Sequence, residues 1–121
     1  RSSVDTSKEA TAWKIAAVFH LIDAKVSLSG SYPGWKPNMD SPILKTMSSV
    51  YNKMYGKIPE IKAIHAGLEC GIIGGVYPGL DMISFGPTIR YPHSPDEKVH
   101  VPSVKMFYDF MCATLKQVPL K

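Results

Sequence analysis

The sequence predicts an α/β fold, a sheet with flanking helices, preceded by a strand–helix–strand unit. Three observations carry this. Across residues 41–121, short strand-like runs alternate with helical apolar periods, the pattern of α/β architecture. Residues 1–31 place one helical stripe between two strand-like segments. Between them lies SGSYPGWKPNMDSP, rich in Gly and Pro and without an apolar period, which has the composition of a linker. The domains are therefore residues 1–34 and 35–121.

Residues 1–4 read as the tail of a strand. Thr6-x-x-Glu9 is a capping-box pattern, which satisfies amide groups left open at a helix start. The helix that follows sets Ala12, Ile15, Ala16, Phe19 and Ile22 on one stripe and ends near Asp23. Val26 and Leu28 then alternate with Lys25, Ser27 and Ser29, as in a half-buried strand. In the linker, Trp35 is expected to plug the edge of a core.

Asp40 or Ser41 caps the next helix, with Pro42 at its first position, where a missing donor costs nothing. Its buried face is Ile43, Met47, Val50, Tyr51 and Met54, and Gly56 ends it. Pro59 precedes a strand over residues 60–65. A glycine turn at Ala66-Gly67 follows, then a short helix over 68–74 and a turn at Tyr77-Pro78-Gly79. Residues 82–85 form an apolar run that suits a buried central strand. Pro102 opens the last helix, whose apolar face is Val104, Phe107, Tyr108, Met111, Leu115 and Val118, with Pro119 limiting it.

Composition excludes several functions. The 14 basic residues are scattered and the net charge is only +4, which argues against nucleic-acid binding. No apolar run approaches the ~20 residues that span a bilayer. The N-terminal RSSVDTSKEA lacks the apolar core of a signal peptide, and without an initiator Met the chain is expected to begin mid-protein or after processing. Cys70 and Cys112 form no CxxC and suggest two reduced thiols, as in the cytosol.

The residues that bear on chemistry lie late in the chain. His93 stands in a proline-bounded loop beside Asp96 and Glu97. Neutral imidazole is the commonest protein metal ligand, although a single His in such a loop is more often a solvated surface residue. HAGLECG, DMISFGP and PHSPDE, with SGSYPGWKP upstream, resemble the C-terminal part of the aminoacyl-histidine dipeptidases. These Xaa-His dipeptidases, also called peptidase D, belong to the di-zinc peptidase family that includes carboxypeptidase G. The resemblance runs over essentially the whole chain in long, ungapped motifs.

The resemblance implies that the chain is a C-terminal fragment of such an enzyme. Residues 1–34 would be the end of an α+β lid domain, and 35–121 the end of the zinc-peptidase catalytic domain. It implies two zinc ions per full-length subunit, with His93 of the GP…H…DE pattern as the one ligand in this chain. Asp96 and Glu97 would either orient the imidazole or anchor its loop. Gly67 falls where the turn backbone approaches substrate, and Glu69 and His65 flank it. Gly67 equally fits an ordinary turn, Glu69 a helix dipole, and His65 a half-buried site. Arg1 matches a lid arginine that clamps the substrate carboxylate, a task suited to a guanidinium fork.

HxD and Glu-Glu metal motifs are missing from the sequence. The fragment alone is therefore expected to be inactive, and its parent to be a cytoplasmic zinc dipeptidase that cleaves Xaa-His, carnosine-like dipeptides. A homodimer or a segment-exchanged oligomer is the expected assembly. In the alternative, the chain is a non-catalytic interaction or dimerisation module built from lid-derived strands.

Overall fold

A computed structural model of the chain describes residues 2–64 and 69–118. In order, these form α1 (Asp5–His20), α2 (Pro42–Tyr55), α3 (Glu69–Val76), β1 (Ile89–Arg90), β2 (Lys98–Val99) and α4 (Val101–Leu115). The fold is thus mixed, helices with a small two-stranded sheet. The chain divides into two compact units, Arg1–Asn38 with Lys62–Leu80, and Met39–Ile61 with Asp81–Lys121.

In the first unit α1 begins one residue before the expected capping box, and its N-cap Val4 has no side-chain cap. Asp5 is turned instead towards the linker, where its Oδ1 accepts from Gly34 N–H at 2.9 Å and from Lys8 Nζ at 2.6 Å. Lys8 Nζ also donates to the Tyr32 carbonyl. The glycines explain how the linker lies so close. A Cβ on Gly34 would stand 2.6 Å from the Ser3 carbonyl oxygen, and one on Gly71 would stand 2.7 Å from that of Pro33. Only hydrogen fits at either place. Trp35 is half-buried and its Cβ faces Gly71, in keeping with its expected place at a core edge.

The stripe expected on α1 is not a buried face. Ala16 is buried at 2% exposure, but Ile15, Phe19 and Ile22 are 55%, 50% and 74% exposed. Their i, i+4, i+7 spacing sets them on one side of the helix, or just past its end, and of the expected stripe Ala16 is the residue that α1 buries. α1 ends at His20, and Asp23 follows at φ 53° in the turn beyond it.

In the second unit the ends of α2 are built as its sequence indicates, although Met54 of its expected buried face is exposed. Ser41 is the N-cap and its Oγ accepts from Leu44 N–H at 3.1 Å, Pro42 stands in the first turn, and Gly56 ends the helix in a left-handed conformation at φ 66°. Asp81 Oδ2 adds a second cap by accepting from Ile43 N–H at 2.8 Å. These bonds leave the Asp81 carboxyl below its ordinary pKa, through the Ser41 hydroxyl first and the Ile43 amide second.

Met47 and Val50 of α2 are buried, and α2 packs against α4. Aromatic rings join the two. Tyr51 meets Phe110 edge-on at 5.3 Å, and Phe85 contacts Phe107 at 5.2 Å and Phe110 at 5.6 Å. Tyr55 Oη donates to the Met106 carbonyl at 3.0 Å. The inward face of α4 is Phe107, Phe110 and Met111, all half-buried, whereas the expected Val104, Tyr108, Leu115 and Val118 are exposed.

Among the described residues the expected sheet is reduced to one short ladder. Residues 2–4, 25–29, 60–64 and 82–85 carry the strand pattern, yet none of them pairs with another described segment. A strand is defined by the backbone bonds it exchanges along a ladder, and these runs form no ladder with one another among the described residues. The ladder that does form, β1 with β2, falls at the rim of the His93 loop and was not anticipated from its sequence. Cys70 and Cys112 are free thiols, both half-buried, as expected.

Candidate functional site

The candidate site is built on the hairpin of the second unit. Its base is antiparallel, with Ile89 opposite Val99 and Arg90 opposite Lys98. His100 N–H extends the pairing to the Thr88 carbonyl at 2.9 Å. Ser103, in the first turn of α4, staples that base. Its Oγ accepts from Thr88 N–H at 2.9 Å and donates to the His100 carbonyl at 2.6 Å. The loop over residues 91–97 therefore springs from a rigid foot.

Within the loop, Tyr91 at φ 54° and His93 at φ 64° both take the left-handed conformation without being glycine. Each such residue costs on the order of 1–3 kcal/mol, so the surrounding bonds must enforce it. Those bonds are present. Glu97 Oε2 accepts from His93 N–H at 2.7 Å, Glu97 N–H donates to the Ser94 carbonyl at 3.0 Å, and Asp96 N–H donates to Ser94 Oγ at 3.0 Å. Lys98 Nζ lies 5.3 Å from the Tyr91 ring centroid, a cation–π contact across the mouth of the loop. The His93 side chain is exposed, and so is available as a ligand or a proton carrier.

The expected site residues separate clearly. His93, Asp96 and Glu97 share this loop, with Glu97 bonded to the main chain of His93 and Asp96 held through its own amide. Glu69 is exposed in the first turn of α3, in the other unit, where it complements the helix dipole. Arg1, His65 and Gly67 lie outside the described residues.

Among the described residues, no three or more His, Cys, Asp or Glu side chains come together as a metal-binding group. They do not amount to a zinc centre, which needs several such donors in one place. Sequence reasoning missed Tyr91, Ser94 and Ser103. The prolines of the Tyr-Pro-His-Ser-Pro run mark the loop, but the restriction each places on the residue before it favours extended backbone and not the φ of 54° that Tyr91 adopts.

Among the described residues, no helix is long and apolar enough to cross a membrane. No protein-family model matches the chain, and no solved structure matches it. Over 121 residues, all of its length, the chain is 41% identical to the cytosol non-specific dipeptidase of Escherichia coli (strain K12), and it spans 25% of that protein's length.

Proposed function

We propose that this chain is the C-terminal part of a cytosolic dipeptidase. The observation that carries the reading is the 41% identity, maintained along the whole chain, to a dipeptidase four times as long, as the 25% coverage gives it. The strained, exposed His93 supports it, because non-glycine residues held left-handed gather at functional sites.

In this reading His93 is the one metal ligand supplied by this chain to a two-zinc centre, and the remaining donors come from the rest of the protein. Zinc in such a centre lowers the pKa of bound water and polarises a carbonyl. On this reading the 121-residue chain supplies one ligand of that centre, and by itself it is inactive. Arg1, His65, Gly67 and Glu69 bind the dipeptide in this reading, Arg1 taking its free carboxylate. Xaa-His dipeptides, carnosine-like ones included, are substrates. The Escherichia coli relative is a non-specific dipeptidase, which favours a wider range of dipeptides as the second reading.

Exposed apolar side chains on α1, such as Trp13 and Phe19, support association into a homodimer or a segment-exchanged oligomer. The test is a panel of β-alanyl-histidine, Gly-His and Gly-Leu, given to the full-length protein that carries this chain and to the chain alone. The reading expects hydrolysis by the former and none by the latter. Failure of the full-length protein on all three dipeptides overturns it.

A further inference from the structure

We propose that Glu97 is a positioning residue for His93, whose main-chain N–H its carboxylate clamps, so that the residue stays left-handed with its imidazole exposed. This rests on the reading of the chain as part of a dipeptidase and assigns Glu97 a task within it. The resemblance left two roles open for this acid, orienting the ring or anchoring the loop. The geometry selects the second, since Glu97 Oε2 lies 2.7 Å from the His93 amide nitrogen.

The rest of the loop explains why a glutamate serves here. Glu97 is itself fixed, its N–H bonded to the Ser94 carbonyl at 3.0 Å and its next neighbour Lys98 paired with Arg90 in the ladder. From that anchored position the side chain reaches back along the loop to a residue at φ 64°. A carboxylate accepting a backbone N–H makes a charge-assisted bond, stronger than a neutral one. The His93 N–H goes to Glu97 and not to neighbouring Asp96, whose own amide donates to Ser94 Oγ at 3.0 Å. Without the clamp, His93 relaxes to an ordinary backbone conformation and its ring swings away from its working position. A displacement of that kind near a reacting centre lowers turnover more than it lowers binding.

The experiment uses the full-length protein that carries this chain, with the variants His93→Ala, Glu97→Ala, Glu97→Gln and Glu97→Asp. Dipeptide hydrolysis gives kcat and KM, and hydrogen exchange gives the protection of the His93 amide. Glu97→Ala is expected to lower kcat by about a hundredfold with KM little changed, and to speed exchange at His93. Glu97→Gln keeps an acceptor oxygen of the same reach, so it restores most of kcat and the protection. Glu97→Asp is too short and behaves like the alanine variant.

If His93→Ala is inactive while Glu97→Ala turns over normally, the clamp is overturned and the dipeptidase reading stands. If His93→Ala is fully active, the assignment of His93 fails, and unchanged exchange in Glu97→Ala then overturns the clamp separately. Should Glu97→Ala not fold, the glutamine variant decides, for a folded and inactive Glu97→Gln contradicts positioning through the amide.

Discussion

Asp5 Oδ1 accepts the main-chain N–H of Gly34 at 2.9 Å, tying the first turn of α1 to the proline- and glycine-rich linker. The same oxygen holds Lys8 Nζ, and that bond, followed by the one from Gly34, keeps the Asp5 carboxyl below its ordinary pKa. A carboxyl depressed on folding adds stability that is complete above its unfolded pKa and is lost as pH falls through its folded pKa. Acid is therefore expected to loosen this clasp, which Trp35 fluorescence in a Trp13→Phe background would follow. Asp5→Asn should remove the pH dependence of the signal in the acid range.

Gly34 itself makes the second prediction. Its missing Cβ is the space taken by the Ser3 carbonyl oxygen at 2.6 Å and the Val4 nitrogen at 3.1 Å, both of them backbone atoms that cannot swing aside. Gly34→Ala is expected to destabilise by about 1–3 kcal/mol, the usual cost of overpacking, measured as a lower denaturant midpoint. Gly30→Ala is a useful contrast, because a Cβ there meets nothing and only its φ of 68° opposes the change.

The aromatic cluster of the second unit yields the third. Phe110 touches both Tyr51 and Phe85, so one truncation removes two ring contacts between α2, α4 and the segment before the hairpin. Phe110→Ala should cost about 2–3 kcal/mol, at the lower end for buried phenylalanines because the ring is only half-buried. Thermal unfolding followed by near-ultraviolet dichroism reads it. Phe110→Leu, which keeps most of the volume, should recover more than half of the loss.

Local chemistry made parts of this fold legible in the sequence. Ser41, Pro42 and Gly56 mark the ends of α2 because capping is settled by residues within one turn. The His93 loop was legible through its prolines and its resemblance to a known motif. What local signals could not give was pairing. Val26 with Leu28, and residues 82–85, have the alternation or apolar run of strands, but ladders depend on neighbours that those residues do not specify. The Thr6-x-x-Glu9 box was likewise outcompeted, because Asp5 gains Gly34 and Lys8 as partners when the linker folds back on α1. The left-handed turn at His93 was hidden for a similar reason, since it is imposed by a carboxylate further along the chain.

The central claim is that His93 serves a metal-dependent dipeptidase as a ligand contributed by this chain. The most direct measurement is zinc content together with dipeptide hydrolysis, on the full-length protein that carries this chain and on its His93→Ala variant. The expected result is two zinc ions per subunit in the parent, less zinc in the variant, and hydrolysis reduced to background. Equal zinc content and undiminished hydrolysis in the variant would contradict the account.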